Sequence, residues 1–202
     1  MEDKELSSEQ NHTEDELVLI DSPASIFGEF NLTVYIALLS LFTAMTTVAT
    51  VSLSIPFPST AGYFNLGDTL VMMSGFLLGP IGGFIAGGAG SAMGDVALGY
   101  LPYVPITFIA KGLEGMMVGI FSYKFRSGKT IKIWDIVGVI FAALMMLGGY
   151  YFGEIILLGY APEVAFAELI TINLLQVTMG GIVALLVGPI VRKHLMDILG
   201  RE

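Results

Sequence analysis

The chain is 202 residues long, 54% hydrophobic and only 13% charged, with a mean hydropathy of +0.78 and no cysteine. Soluble domains carry about a quarter charged residues, so this composition excludes a water-soluble enzyme and points to an integral membrane protein whose apolar surface meets lipid. The lack of cysteine excludes disulfides, thiolate nucleophiles and cysteine-held metal centres. The net charge of −9 is concentrated in residues 1–29, which carry −8 through nine acids against Lys4, leaving −1 for residues 30–202.

Residues 1–29 combine low hydrophobicity with high charge and are expected to be disordered. Their acidic start is not that of a signal peptide. A bilayer core of about 30 Å asks for about 20 apolar helical residues per crossing. Six such runs are predicted from Leu32 onward: 32–51, 66–78, 81–98, 104–123, 133–158 and 166–191. Residues 30–193 then form one all-α, six-transmembrane-helix bundle, followed by a short tail, 194–202. Gly79-Pro80 divides the second run from the third, KFRSGKTIK the fourth from the fifth, and Gly159-Tyr160-Ala161-Pro162 the fifth from the sixth.

Lys124, Arg126, Lys129 and Lys132 share one connection, and Arg192, Lys193 and Arg201 follow the sixth run, whereas connections 52–65, 99–103 and 159–165 carry no Lys or Arg. Short cytoplasmic loops are enriched in these bases. The expected topology has both termini cytoplasmic, in a multi-pass protein of the cell membrane.

Glycine occurs 25 times, mostly inside the helices, where its propensity is poor. Small residues let membrane helices approach closely, and Gly75, Gly79, Gly83, Gly87 and Ser91 recur every fourth residue. That stripe reads either as packing within the bundle or as a docking face for another subunit. Ala37, Ser40 and Ala44 form a second small-residue stripe on the first helix.

Ionisable side chains inside a membrane are costly and face cavities or partners. Lys111 and Glu114 lie three apart on one helical face and can pair; at 1.5 Å per residue from Pro105 they lie roughly 9 and 14 Å below the outer helix end. Further polar groups gather in the same half: Asn65 and Asp68, Asp95, Tyr100 and Tyr103, Tyr150, Tyr151 and Glu154, and Glu168, Asn173 and Gln176. Asp68 could instead cap its helix. A cavity of aromatic, amide and carboxylate groups open to one side suits a small, flat, hydrogen-bonding solute. The predicted substrate-binding residues are Asn65, Asp68, Asp95, Tyr100, Lys111, Glu114, Tyr150, Glu154, Asn173 and Gln176.

The chain has no Walker phosphate loop, HExxH zinc pair or GxSxG elbow, and its histidines, His12 and His194, lie outside the predicted helices. No catalytic residue, metal site, cofactor or nucleic-acid partner is expected. Neither an inverted repeat nor a charge relay of the secondary-transporter kind is evident.

In order, FNLGD, LLGPIGG, GSAMGD, GY and PITFIAKGLEG lie within Gly62 to Ile120. This stretch resembles the substrate-binding S component of energy-coupling factor (ECF) vitamin transporters, nearest the riboflavin or hydroxymethylpyrimidine branch. The resemblance implies a six-helix bundle that captures a vitamin or precursor outside the cell, beneath the loop joining the first two helices. It also implies partners: a coupling membrane subunit and two cytoplasmic ATPases that use the ATP. The docking stripe it implies is at best Ala37, Ser40 and Ala44; Gly83 and Gly87 on the third helix join the expected docking residues from the small-residue stripe alone. Ala37 is followed four residues on by Leu41 and Ala44 by Val48, so the family's AxxxA pattern is incomplete here. Two other classes stay open on the residues alone: a proton-coupled secondary transporter using Lys111 and Glu114, and a structural membrane scaffold.

Overall fold

The computed structural model describes residues 32–56, 62–123 and 131–198. The acidic segment 1–29 and the bases Lys124, Arg126, Lys129 and Arg201 lie outside these. Helix α1 (Leu32–Ser52) leads into a two-stranded antiparallel ribbon, β1 (Ile55–Pro56) and β2 (Tyr63–Phe64), in which Ile55 pairs with Phe64 and Pro56 with Tyr63. Helix α2 (Gly67–Leu98), a 3-10 turn (Leu101–Tyr103), α3 (Val104–Tyr123) and α4 (Ile133–Leu157) follow. Last comes α5 (Pro162–Glu168), which runs through a π-helical turn (Leu169–Asn173) into α6 (Leu174–Ile198).

Among the described residues, five helical stretches are long and apolar enough to cross a membrane: Leu32–Ser52, Gly67–Leu98, Leu101–Ser122, Ile133–Leu157 and Pro162–Leu195. The protein is an all-α membrane bundle. Predicted and observed helix limits agree closely for α1, α3 and α4. The final helix begins earlier than expected, because Pro162 occupies its first turn, where a missing N–H costs nothing. It also continues through His194 to Ile198, where a tail is predicted.

The two runs predicted at 66–78 and 81–98 are joined in α2, but the chain reverses within it. Gly79 has φ 76° and ψ −169°, a conformation outside the helical range, and Pro80 follows. Glycine tolerates positive φ, and the residue before proline is driven out of the helical region. The two arms lie side by side and antiparallel: a Cβ placed on Gly83 would come within 2.8 Å of the Gly75 Cα, and one on Gly87 within 2.8 Å of the Val71 Cγ1. In both pairs the partners stand equally far from Gly79 along the sequence. The arms are unequal, about 18 Å for 67–78 and about 28 Å for 80–98 at 1.5 Å per residue. The short arm therefore stops below the level reached by its neighbour, leaving a recess above Asp68 that residues 62–66 cross.

Helix α2 is the axis of the bundle, with 72% of its span buried against 22% for α1 and α4. It packs against α1, α3 and α6. Backbone meets backbone between α2 and α3: a Cβ on Gly83 would collide with the Gly115 carbonyl oxygen, and one on Gly115 with the Gly83 carbonyl oxygen. Gly87 faces the Lys111 carbonyl in the same way, at 2.7 Å from a built Cβ. Gly83 and Gly87 thus belong to the interior of the bundle and not to a docking face, which corrects the expectation for them. Close approach without side chains is the reason for their small size. Ala37, Ser40 and Ala44 lie on an exposed face of α1 among Ile36, Leu41 and Val48. Large apolar side chains exposed along α4, such as Ile140, Leu144 and Ile156, fit a surface solvated by hydrocarbon.

Candidate functional site

The start of α2, the first two turns of α3, the end of α4 and the π-turn before α6 all meet at the end of the bundle that carries the β-ribbon. At their centre Lys111, 1% exposed, bonds Asp68 Oδ1 and lies 3.0 Å from Glu114 Oε2; both carboxylates are equally buried. The spacing that predicts the Lys111–Glu114 pair is borne out in geometry, and Asp68 joins it from across the helix interface. Gln176 Nε2 also donates to Asp68 Oδ1 (2.9 Å), and its Oε1 accepts from the Asn65 backbone N–H (2.8 Å). Asn65 Oδ1 in turn accepts from the Gly67 N–H (2.8 Å). Asp68 is therefore spent on a tertiary ion pair instead of a helix cap. One chain of hydrogen bonds ties the ribbon's exit, α2, α3 and α6 together. Two buried carboxylates on one ammonium form a high-stakes arrangement, because removing either sign strands the other.

Above this network lies a small cavity lined by Gly62, Tyr63, Asn65, Asp95, Tyr103, Thr107, Tyr150, Glu168, Asn173 and Gln176. Tyr63 donates to Asp95 Oδ1 (2.6 Å) and stacks on Tyr100 with centroids 4.6 Å apart, so β2 closes one side. Burial first, and then the Asp95 carboxylate, hold the Tyr63 phenol well above its ordinary pKa, which keeps it a donor. Thr107 and Tyr150 share a hydrogen bond of 2.9 Å, and the Tyr150 ring lies 5.7 Å from Lys111 Nζ. Several polar atoms in the wall are buried without a hydrogen bond of good geometry: Asp95 Oδ2, the Tyr103 hydroxyl, which lies near Tyr160, and Asn173 Nδ2. Unmet donors and acceptors around a cavity are costly unless something fills it.

Of the ten residues predicted to bind substrate, Asn65, Asp95, Tyr150, Asn173 and Gln176 line the cavity. Asp68, Lys111 and Glu114 form its supporting network, Tyr100 backs Tyr63, and Glu154 lies beside Glu168 behind the wall. The list omits Gly62, Tyr63, Tyr103, Thr107 and Glu168. Thr107 was within reach, since it precedes Lys111 by one helical turn and shares its face. Tyr103 and Glu168 were already placed in this polar half, but helical spacing does not bring Glu168 onto the face of Asn173, because the π-turn alters the phase that spacing assumes.

The family described as "ECF-type riboflavin transporter, S component" matches residues 31–193. The chain belongs to this family. It is similar to a Pyrococcus woesei protein described as "Uncharacterized protein in gap 3'region", with 36% identity over 153 residues, 76% of this chain and 98% of that one. It is also similar to "Thiamine precursor transporter HmpT" of Lactococcus lactis subsp. cremoris, with 26% identity over 159 residues, 78% of this chain and 87% of that one. The chain is thus the substrate-capture subunit of an ECF transporter for a vitamin or precursor, a multi-pass protein of the cell membrane and not an enzyme. The secondary-transporter and scaffold readings give way to this one.

Proposed function

We propose that the ECF S component captures its vitamin or precursor in the cavity between β2, the 3-10 turn, α3, α4 and the π-turn. The observation that carries this is the set of buried polar atoms without a hydrogen bond of good geometry on Asp95, Tyr103 and Asn173, all on the same cavity wall. An arriving heteroaromatic ligand would satisfy them, and Tyr63 and Tyr150 offer aromatic surface to its ring. The Lys111–Asp68–Glu114–Gln176 network serves as the floor and fixes Asn65 and Gln176 in place. Binding in this reading needs neither ATP nor a cofactor on this chain.

The cavity faces the cell exterior in this proposal. The connections on its side carry no Lys or Arg, and counting the two arms of α2 as separate crossings gives six, with both termini cytoplasmic. A coupling membrane subunit and two ATPases would then supply the energy, the coupling subunit docking on the exposed Ala37, Ser40 and Ala44 face of α1. The family description names riboflavin, and the lactococcal relative is described as a thiamine precursor transporter. Both point to a small heteroaromatic nutrient. Purification without added ligand, followed by mass spectrometry of released small molecules and calorimetry with riboflavin, pyridoxine and hydroxymethylpyrimidine, tests the reading. One of them binding tightly without ATP is expected; no binding across the panel would contradict it.

A further inference from the structure

Beneath the cavity, charge and burial do not balance. Lys111, Asp68 and Glu114 are each at most 1% exposed, and the Lys111 ammonium bonds one oxygen of each carboxyl group. Two carboxylates against one ammonium would leave one negative charge. Such a charge is expensive inside a bundle surrounded by hydrocarbon. The rest of the network does not offset it. Gln176, which donates to Asp68 Oδ1, is neutral, while Asp68 Oδ2 and Glu114 Oε1 are buried without a hydrogen bond of good geometry.

No neighbouring element supplies a second positive charge. Helix α1 has no charged residue. On α4 the Tyr150 ring lies 5.7 Å from Lys111 Nζ, and one turn beyond it stands a further buried acid, Glu154. Helix α6 gives Gln176, and α5 ends in the buried acid Glu168. Asp95, near the other end of α2, is bonded by Tyr63 of β2 and adds yet another acid. The other described bases, Lys132, Arg192 and Lys193, lie at the start of α4 and late in α6, at the opposite end of the bundle. Among the described residues, no group of three or more His, Asp or Glu side chains is arranged to hold a metal ion. A proton, by contrast, takes up almost no space and needs one free carboxyl oxygen. The network has two.

We infer that the Lys111–Asp68–Glu114 network is a proton site, its two carboxyl groups holding one proton between them so that the floor of the cavity is electrically neutral. The same Asp68 oxygen that meets Lys111 also holds Gln176, which holds the Asn65 backbone. Withdrawing the proton at alkaline pH would load this junction with an unbalanced charge, so pH reaches the cavity from beneath.

Infrared spectroscopy of the full-length protein in detergent, near neutral pH and without any ligand, tests the inference through the carbonyl stretch of protonated carboxyl groups. Glu114→Gln and Asp68→Asn should each lose one carboxylic-acid band, because the single carboxylate left then balances Lys111. Lys111→Met should gain one, because both carboxyls are then protonated. The pH dependence of melting gives a second reading. In the unfolded chain both carboxyls are ionised above about pH 4.3, so a folded state that keeps one proton loses stability as pH rises from about 5 to 8. Glu114→Gln should flatten that fall by about one proton per molecule. An undiminished acid band in Glu114→Gln, no gain in Lys111→Met, or parallel pH profiles for wild type and Glu114→Gln would each overturn the inference. Glu114→Gln keeps the shape of the side chain and the Lys111–Asp68 pair, so its failure to fold would count against the inference as well. No ligand enters these measurements, and a negative result leaves vitamin capture standing.

Discussion

The two halves of the bundle solve the problem of a crowded interior in opposite ways. Around Gly75, Gly83, Gly115 and Gly119, helices α2 and α3 touch through their backbones, and side chains are dispensed with. Around Asp68, Lys111, Glu114 and Gln176 the same helices are held by buried polar side chains in one connected network. The glycine half gives close packing and little chemistry. The polar half gives up packing efficiency for a floor on which a ligand can be recognised. The comparison teaches that α2 and α3 serve as scaffold at one end and as site at the other, so damage at the two ends should read out differently.

The largest effect is expected at the centre of the polar half. Lys111→Met strands Asp68 and Glu114 together and should lower stability by about 3–5 kcal/mol. Pairing it with Glu114→Gln should restore only part of that, because Asp68 remains; adding Asp68→Asn should restore most of it. Thermal melting in detergent checks the series, and full recovery in the double variant would remove Asp68 from the network.

Gly83→Leu probes the other half. Its side chain has no room beside the Gly115 carbonyl, and a cost of about 3 kcal/mol is expected, near the upper end for overpacking. Ligand affinity in whatever fraction folds should stay near wild type. A variant that melts normally would show that the backbones can separate at that point.

Smaller and purely functional changes are expected at the cavity wall. Asn173→Ala should leave the melting temperature nearly unchanged, since its Nδ2 has no protein partner to lose. Its ligand affinity should fall by about 1–3 kcal/mol, the cost of the ligand group left unsatisfied. Equal affinity would take Asn173 out of the site. The smallest effect on the isolated protein is expected for Ala44→Trp on the exposed face of α1. Melting and ligand binding should be unaltered, whereas co-purification with a coupling subunit should be lost; retained co-purification would place docking elsewhere.

Much of this contrast was legible in the sequence. The limits of α1, α3 and α4 follow from apolar runs bounded by Gly, Pro and charge, and Gly79-Pro80 marks the reversal inside α2. The Lys111–Glu114 pair follows from its spacing of three. Helical spacing works only within one continuous helix, so Asp68 could be placed near Lys111 only by knowing how α2 folds against α3. Glu168 was placed in the polar half, but the π-turn hid that it shares a wall with Asn173, because five-residue spacing predicts opposite faces. Tyr63 and Gly62 were hidden for another reason: a short ribbon leaves no periodic trace, and its role comes from lying across the recess left by the short arm of α2. The glycine stripe carried two meanings in the sequence, and only the collision of Gly83 and Gly87 with α3 backbone decides for packing.

The central claim is that the polar half of this ECF S component captures a nutrient by itself. Calorimetry of the purified protein without ATP or partner subunits, comparing wild type with Asn173→Ala at matched melting temperature, tests it most directly. Tight binding of one heteroaromatic vitamin or precursor, weakened at least about fivefold in the variant as expected for one lost hydrogen bond, is the predicted result. Affinity that is absent in the wild type, or unchanged by the substitution, would contradict it.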